Sequence, residues 1–210
     1  MNSATPARLH RFIYLASQSP RRSQLLQQIG VEHRLLLPEE SDDAESLEAV
    51  LPGERPDDYV PRVTRLKLRA ARRRLKARRL PDAPILCADT TVALGRRILG
   101  KPADAIEATA MLGSLSGRSH RVLTCVGLSH GTRDLFRLQI SRVRFAVLPQ
   151  PVIEAYVASG EPFGKAGAYA VQGVIAGWIE HVEGSHSAIM GLPLYETTEL
   201  LQEAHVRLRI

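Results

Sequence analysis

Short apolar runs alternate with stripes at three- and four-residue steps along most of this chain, and each change of period marks an expected element. Residues 12–17 contain Ile13-Tyr14-Leu15, a run of β-formers that reads as a strand. The chain then turns at Ser17-Gln18-Ser19-Pro20. Ser19 is a suitable N-cap, and Pro20 is tolerated at the first helical position because its missing N–H would be unpaired there anyway. A helix over 20–29 follows, with Leu25, Leu26 and Ile29 on one side and Gly30 as its stop. Residues 31–37 read as a second strand. Residues 38–56 form a long acidic connection with room for one helical turn at 46–51. Connections of that length usually carry a function or are mobile.

Residues 58–79 read as a helix, since Val60, Val63, Leu66 and Ala70 step by three and four. Residues 84–88 are a buried-strand type of run ending at Asp89-Thr90-Thr91, and 92–99 look like a hairpin around Gly95. A helix is expected over 104–115, stopped by Ser116-Gly117. Strands are expected over 118–129 and 135–148, the second with one polar face because Gln139 to Val147 alternate. A helix over 149–159 leads into a glycine-rich, irregular stretch at 161–173. A strand at 174–182, a short strand or loop at 187–190 and a closing helix at 193–206 complete the expectation. No repeat or clean linker divides the chain, so one domain over 1–210 is expected, with 1–11 as a flexible N-terminus.

Composition narrows the class. At 44% hydrophobic the chain can fill a sizeable core, and no apolar run approaches the ~20 residues of a membrane span. Residues 1–11 lack the apolar region of a signal peptide, so a soluble, cytoplasmic protein is expected. Cys87 and Cys125 each lie inside an apolar run and read as reduced core residues rather than a disulfide or metal pair. The net charge of +6 raises the question of a nucleic-acid partner. Most of the excess lies in 62–79, with ten Lys or Arg and no acid. Aromatic residues make up 5% of the chain and none interrupts this run, so base-stacking platforms are not indicated. A solvated helix face is the simpler reading, with no specific nucleic acid and no membrane as partner.

The turn after the first strand is a candidate anion site. It stands at a helix N-terminus, where free N–H groups and the dipole favour negative charge. Arg21 and Arg22 oppose that dipole, and guanidinium forks suit phosphate oxygens; Ser17 and Ser19 stand beside them. A solvated Arg pair after an ordinary turn is the alternative. Lys67 shares a face with Val63 and Ala71, so it either snorkels to water or points into a cleft. Asp89, at the expected carboxyl edge of a sheet, is either a turn cap or a chemical group where α/β proteins put ligands. Lys101 and Lys165 sit in glycine-containing loops. Several cations with few acids describe a pocket for a polyanion. A triphosphate carries about four negative charges, so a divalent metal with oxygen ligands would be expected to share them. The chain has no Walker loop, no Gly-x-Gly-x-x-Gly and no nucleophile elbow.

Ser17-Gln18-Ser19-Pro20-Arg21-Arg22 resembles the N-terminal signature of the Maf family of nucleoside triphosphate pyrophosphatases. Ala88-Asp89-Thr90, Gly100-Lys101-Pro102, Leu115-Ser116-Gly117, the stretch from Lys165 to Gly173, and Gly191-Leu192-Pro193-Leu194 resemble its later motifs, in family order over nearly the whole chain. The resemblance implies an α/β, Maf/ITPase-like fold: a curved mixed β-sheet flanked by helices, with two lobes around a deep cleft. It implies cleavage between the α- and β-phosphates, with Asp89 as the proton acceptor that activates water. Ser17, Ser19, Arg21, Lys67, Lys101 and Lys165 would bind the substrate's phosphates. Arg22, Thr90 and Gln172 match the dTTP/UTP group, and a Gln amide can donate and accept at once, as the O4 and N3–H edge of thymine or uracil requires. The implied cofactor is Mg²⁺ or Mn²⁺, held by Asp89 and by an acid after the second strand. Asp42 fits that position by ungapped spacing and Glu40 is its rival.

The expectation is therefore a metal-dependent hydrolase of nucleotide metabolism acting on dTTP, UTP and also on modified pyrimidine triphosphates, with a homodimer left open. Its rivals are a 7-methyl-GTP pyrophosphatase and a nucleic-acid-binding or division-regulating protein that uses the basic run at 62–79.

Overall fold

The computed structural model describes residues 9–39 and 46–209. Its centre is a mixed sheet with strand order β2-β1-β3-β5-β6-β7, and β4 pairs with β3 at one side. β1 (Ile13–Leu15) runs parallel to β2 (His33–Leu35) and to the start of β3 (Ile85–Leu94). β4 is Arg97–Leu99. The longest strands, β5 (Ser119–His130) and β6 (Arg133–Phe145), form an antiparallel pair, and β7 (Ile179–Glu183) borders β6. The helices are α1 (Pro20–Gln28), α2 (Pro56–Ala77), α3 (Ala105–Leu115), α4 (Gln150–Ala158), α5 (His186–Ile189) and α6 (Leu194–Glu203). Among the described residues no helix is long and apolar enough to cross a membrane.

The register around β3 places the cleft. β1 pairs with β3 only as far as Leu15 and Leu86, and the Ala16 N–H adds one bond to the Leu86 carbonyl. β3 then runs on beside β5, from Ile85 opposite Ser129 to Ala93 opposite Arg121, and β4 joins its other edge only at Val92–Leu94. Side chains alternate faces along a strand. Ile85 and Cys87 therefore pack toward α2, while Leu86 and Ala88 pack toward α1 and α6. The overhang carries Asp89 and Thr90 out beyond the end of β1, one on each face.

The apolar core is divided in the same way. One cluster joins Val92, Leu99, Phe145 and Tyr169 with α3 and α4. Others gather β1, the first half of β3 and α1, α2 and α6. α3 starts as its sequence suggests: Asp104 accepts from the Glu107 N–H at 2.8 Å, and Glu107 accepts from the Ala103 N–H at 2.8 Å.

Several expectations change. The strand expected at 84–88 does not end before Asp89; it continues to Leu94, because β5 supplies partners as far as Ala93 and β4 pairs Val92–Leu94. The strand expected at 174–182 begins only at Ile179, since Val174–Trp178 forms a 3₁₀ turn. A short apolar run with an internal glycine does not distinguish these outcomes. The segment at 187–190 is helical, with Ser185 Oγ accepting from the Ala188 N–H. The strand expected at 31–37 shortens to His33–Leu35. Ser19 precedes α1 in extended backbone, but its side chain makes no cap hydrogen bond. Within the expected flexible N-terminus, 1–8 lies outside the described residues, and His10 is pinned between the His205 carbonyl and the Arg207 N–H at 2.9 Å each.

Candidate active site

A cleft of about 600 Å³ opens over the carboxyl end of β1. The 17–22 turn forms one wall, α2 and the β3 overhang another, and the glycine-rich 163–172 stretch closes the far side. Ser17, Ser19, Arg21, Arg22, Lys67, Asp89, Thr90, Lys101, Lys165 and Gln172 all line it. Asp42 and Glu40 lie outside the described residues.

Asp89 faces α2 from mid-strand and is 6% exposed. Its Oδ1 lies 2.5 Å from Lys67 Nζ. The same ammonium lies 2.7 Å from Glu48 Oε1, and Glu48 Oε2 lies 2.7 Å from Lys101 Nζ. Burial alone would push the Lys67 ammonium down, but the Asp89 and Glu48 carboxylates outweigh it and hold its pKa above the ordinary value. Burial would raise Glu48, and the two lysines reverse that and hold its carboxyl below the usual range. The awkward placement of Lys67 on α2 is thus explained by a cleft-facing ammonium.

Arg22 turns away from the open cleft and into its wall. Its Nε donates to the Gly191 carbonyl at 2.7 Å, Nη1 to Ser17 Oγ at 3.1 Å, and Nη2 to Thr90 Oγ1 at 3.4 Å. Thr90 Oγ1 in turn lies 3.0 Å from Thr124 Oγ1, which donates to the Ala188 carbonyl at 2.8 Å. Desolvation lowers the Arg22 pKa, with Asp89 opposing it. This network ties the α1 turn, β3, β5 and the α5–α6 connection into one body. Ser17 Oγ also accepts from the Ser19 N–H at 3.2 Å.

Arg21 is half-buried and has no ion pair among the described residues. Lys165 borders the cleft, but its ammonium donates back to the carbonyls of Glu161 and Phe163. Burial lowers its pKa, and Arg21 adds to that shift. Gly167 anchors the glycine-rich stretch by donating its N–H to the Gly100 carbonyl at 3.0 Å, beside Lys101. Its φ is +70°, and a Cβ there would lie 2.8 Å from Val92 Cγ2. Glycine is required at this contact.

The residue that sequence reasoning missed is Glu48. It ends the 3₁₀ turn Ser46–Glu48 inside a connection that looked merely acidic. The basic run on α2 is less solvated than expected. Arg62 bonds Glu54, Arg72 bonds Asp134, Arg78 bonds Glu39, and Arg65 lies over the Phe136 ring. Cys87 and Cys125 are free and buried. Among the described residues, no three His, Cys, Asp or Glu side chains group as a metal cluster.

The arrangement can neutralise a polyanion with Arg21, Lys67 and Lys101 while a carboxylate stands beside it to accept a proton. Comparison with known proteins points to the same chemistry. A family model described as "Maf-like protein" matches residues 12–204. A dTTP/UTP pyrophosphatase of Albidiferax ferrireducens is 61% identical over 194 residues, covering 92% of this chain and 97% of that relative. Relatives of the same name from Polaromonas sp. and Ralstonia nicotianae are 60% and 59% identical. These two cover 94% and 95% of this chain, and 98% and 97% of their own lengths.

Proposed function

The chain belongs to the Maf family, and from that membership we propose that it hydrolyses dTTP and UTP to the nucleoside monophosphate and pyrophosphate. The observation that carries the mechanism is the pairing of Asp89 with Lys67 in a cleft that also holds Arg21 and Lys101. Lys67 and Lys101 are the ammonium groups that meet the incoming phosphates, with Arg21 and the hydroxyls of Ser17 and Ser19 at the helix end. Once phosphate engages Lys67, the Asp89 carboxylate loses its cation and is free to take a proton. Water attacks the α-phosphorus, the bond from that phosphorus to the bridging oxygen breaks, and the water proton passes to Asp89. Charge that grows on the departing pyrophosphate is met by Arg21, Lys67 and Lys101, an electrostatic contribution of several kcal/mol. Lys165 joins this set only if its ammonium leaves the Glu161 carbonyl.

Asp89 offers a hard oxygen ligand, and Mg²⁺ characteristically uses one or two carboxylates together with substrate phosphates. The donor set therefore fits Mg²⁺ or Mn²⁺, which would share the negative charge of the triphosphate; Asp42 or Glu40 would supply the second carboxylate. Gln172 reads the base edge through its paired donor and acceptor. Arg22 and Thr90 act on base choice by holding the Gly191 connection in place. The two reduced cysteines suit a reducing compartment, and the cytoplasm is the proposed location.

Pyrophosphate release from a nucleotide panel, including 7-methyl-GTP and modified pyrimidine triphosphates, tests the reading. Turnover of dTTP and UTP is expected to lead the panel. Asp89→Asn should lower kcat by roughly 10²- to 10⁴-fold, the contribution of a positioned general base. Full activity in that variant would overturn the mechanism.

A further inference from the structure

The far end of α2 borders a second cavity, of about 440 Å³, within the ~300–1,000 Å³ typical of small-molecule sites. It lies beside the start of β3 and shares no lining residue with the cleft. Ile85, which lines it, stands four residues before Asp89 on β3, about 13 Å along the strand. Leu75, Leu80 and Ile85 give it an apolar wall.

Ser129 shows that the cavity is not merely apolar. It is 5% exposed and stands directly opposite Ile85 across the β3–β5 pair. Opposed residues share a face of the sheet, and Ile85 packs under α2, so Ser129 points to the α2 side as well. Its hydroxyl has no hydrogen-bond partner among the described residues. Buried hydroxyls are normally paired, and the open partner here is the cavity that Ser129 lines.

The cations around it are also uncommitted. Lys76 and Arg79 line the cavity and form no ion pair among the described residues, whereas Arg72 lies 3.0 Å from Asp134. Cations in a last helical turn complement the helix dipole. The carbonyls there are nevertheless already taken: Leu75 accepts from the Leu80 N–H at 3.2 Å, and Lys76 from the Arg79 N–H at 3.1 Å. Arg79 holds the left-handed position after the helix, with φ +49°, where glycine is the usual residue. A charged side chain stands at the cavity where the backbone alone would favour glycine.

We propose that this cavity binds a phosphate monoester on a hydroxylated body, the chemistry shared by sugar phosphates and nucleoside monophosphates. A guanidinium, an ammonium and a hydroxyl together suit the oxygens of one phosphate. Asp82, the acid of the cavity, forms no ion pair among the described residues. It repels a phosphate but accepts from sugar hydroxyls, so it sets the ligand's direction. The phosphate meets Lys76, Arg79 and Ser129, the hydroxyls meet Asp82, and the carbons lie on the apolar wall. The site is separate from the proposed catalysis.

The test is calorimetric titration of the full chain with ribose 5-phosphate, UMP and inorganic phosphate, in the parent, in Ser129→Ala and in Lys76→Glu. Comparison between variants isolates this site, because any binding in the cleft is common to all three chains. The Ser129→Ala chain should bind ribose 5-phosphate about tenfold more weakly, the size of a lost hydrogen bond to a charged group. Lys76→Glu should abolish the binding, and both variants should turn over dTTP and UTP as the parent does. Tighter binding of UMP than of ribose 5-phosphate selects a nucleoside monophosphate as the ligand, and the reverse selects a sugar phosphate; either supports the proposal. Absence of binding, or affinity unchanged in both variants, overturns it. Inorganic phosphate binding as tightly as both esters overturns the part given to Asp82 and the apolar wall. Should Ser129→Ala fail to fold, Lys76→Glu, at an exposed helix position, decides alone. A parent that binds here but releases no pyrophosphate from dTTP or UTP defeats only the reading of the cleft.

Discussion

Acid should loosen this protein through one buried histidine. His120 lies in β5, 2% exposed, with Nε2 2.8 Å from the Tyr169 hydroxyl and its ring stacked on Phe145 at 5.5 Å between centroids. Nδ1 has no hydrogen-bond partner, although the Arg118 backbone offsets a little of the burial penalty. Desolvation pushes the imidazole down from 6.5 to about 4. The unfolded chain therefore takes up a proton near pH 6.5 that the folded chain refuses until about pH 4, and stability falls as pH drops through this window. Working from those two values, about 2 kcal/mol is lost by pH 5 and about 3 kcal/mol by pH 4. A typical domain has only about 5–15 kcal/mol to lose. Tyr169 belongs to the cleft's glycine-rich stretch, so the same proton should loosen the base-facing side of the site. Urea unfolding at pH 7.5 and pH 5.0, in the parent and in His120→Gln, isolates the effect. The cost of the substitution itself appears at both pH values and cancels. The parent should lose about 2 kcal/mol more than the variant between the two. An equal loss in both chains would refute the reasoning.

Arg22→Lys should lower kcat/KM by about tenfold or more. An ammonium cannot span Ser17, Thr90 and the Gly191 carbonyl at once, and leaving buried partners unpaired costs about 1–3 kcal/mol; unfolding and steady-state assays read the two effects. Gly167→Ala should destabilise by about 1–3 kcal/mol, because it strains a positive φ and drives a methyl group into Val92. Its shift in thermal midpoint, with a raised KM, checks this. Burial pushes the Cys87 thiol up to about 12 and Cys125 to about 11, so neither should react with a thiol-specific disulfide reagent at pH 8 until the chain is unfolded in denaturant.

The alternation of short apolar runs with helical stripes was enough to place most strands and helices, because these periods are local and follow from backbone geometry. The turn at 17–22, Lys67 on the inner side of its helix and the lysine loops at 101 and 165 were legible for a similar reason. Each is a charged or polar group where the local pattern offers no core to fill. Errors came where local signals were balanced. Residues 174–178 are apolar enough for a strand but fold as a 3₁₀ turn, and 186–189 became a helix through the side-chain cap from Ser185.

Contacts between distant segments were beyond that reach. Glu48 meets Lys67 across 19 positions and Lys101 across 53, and Arg22 meets the Gly191 carbonyl across 169. Nothing in a stretch of neighbours says which helix will lie over it. Asp89 stands at the open end of the parallel pair because β1 stops at Leu15 while β3 goes on with β5, a fact of register between strands rather than of either strand. The chain's own residue order thus specifies its elements and its chemical groups. Packing chooses which of those groups share a charge, since a cation's partner in a cleft is whichever carboxylate the assembled fold brings within reach.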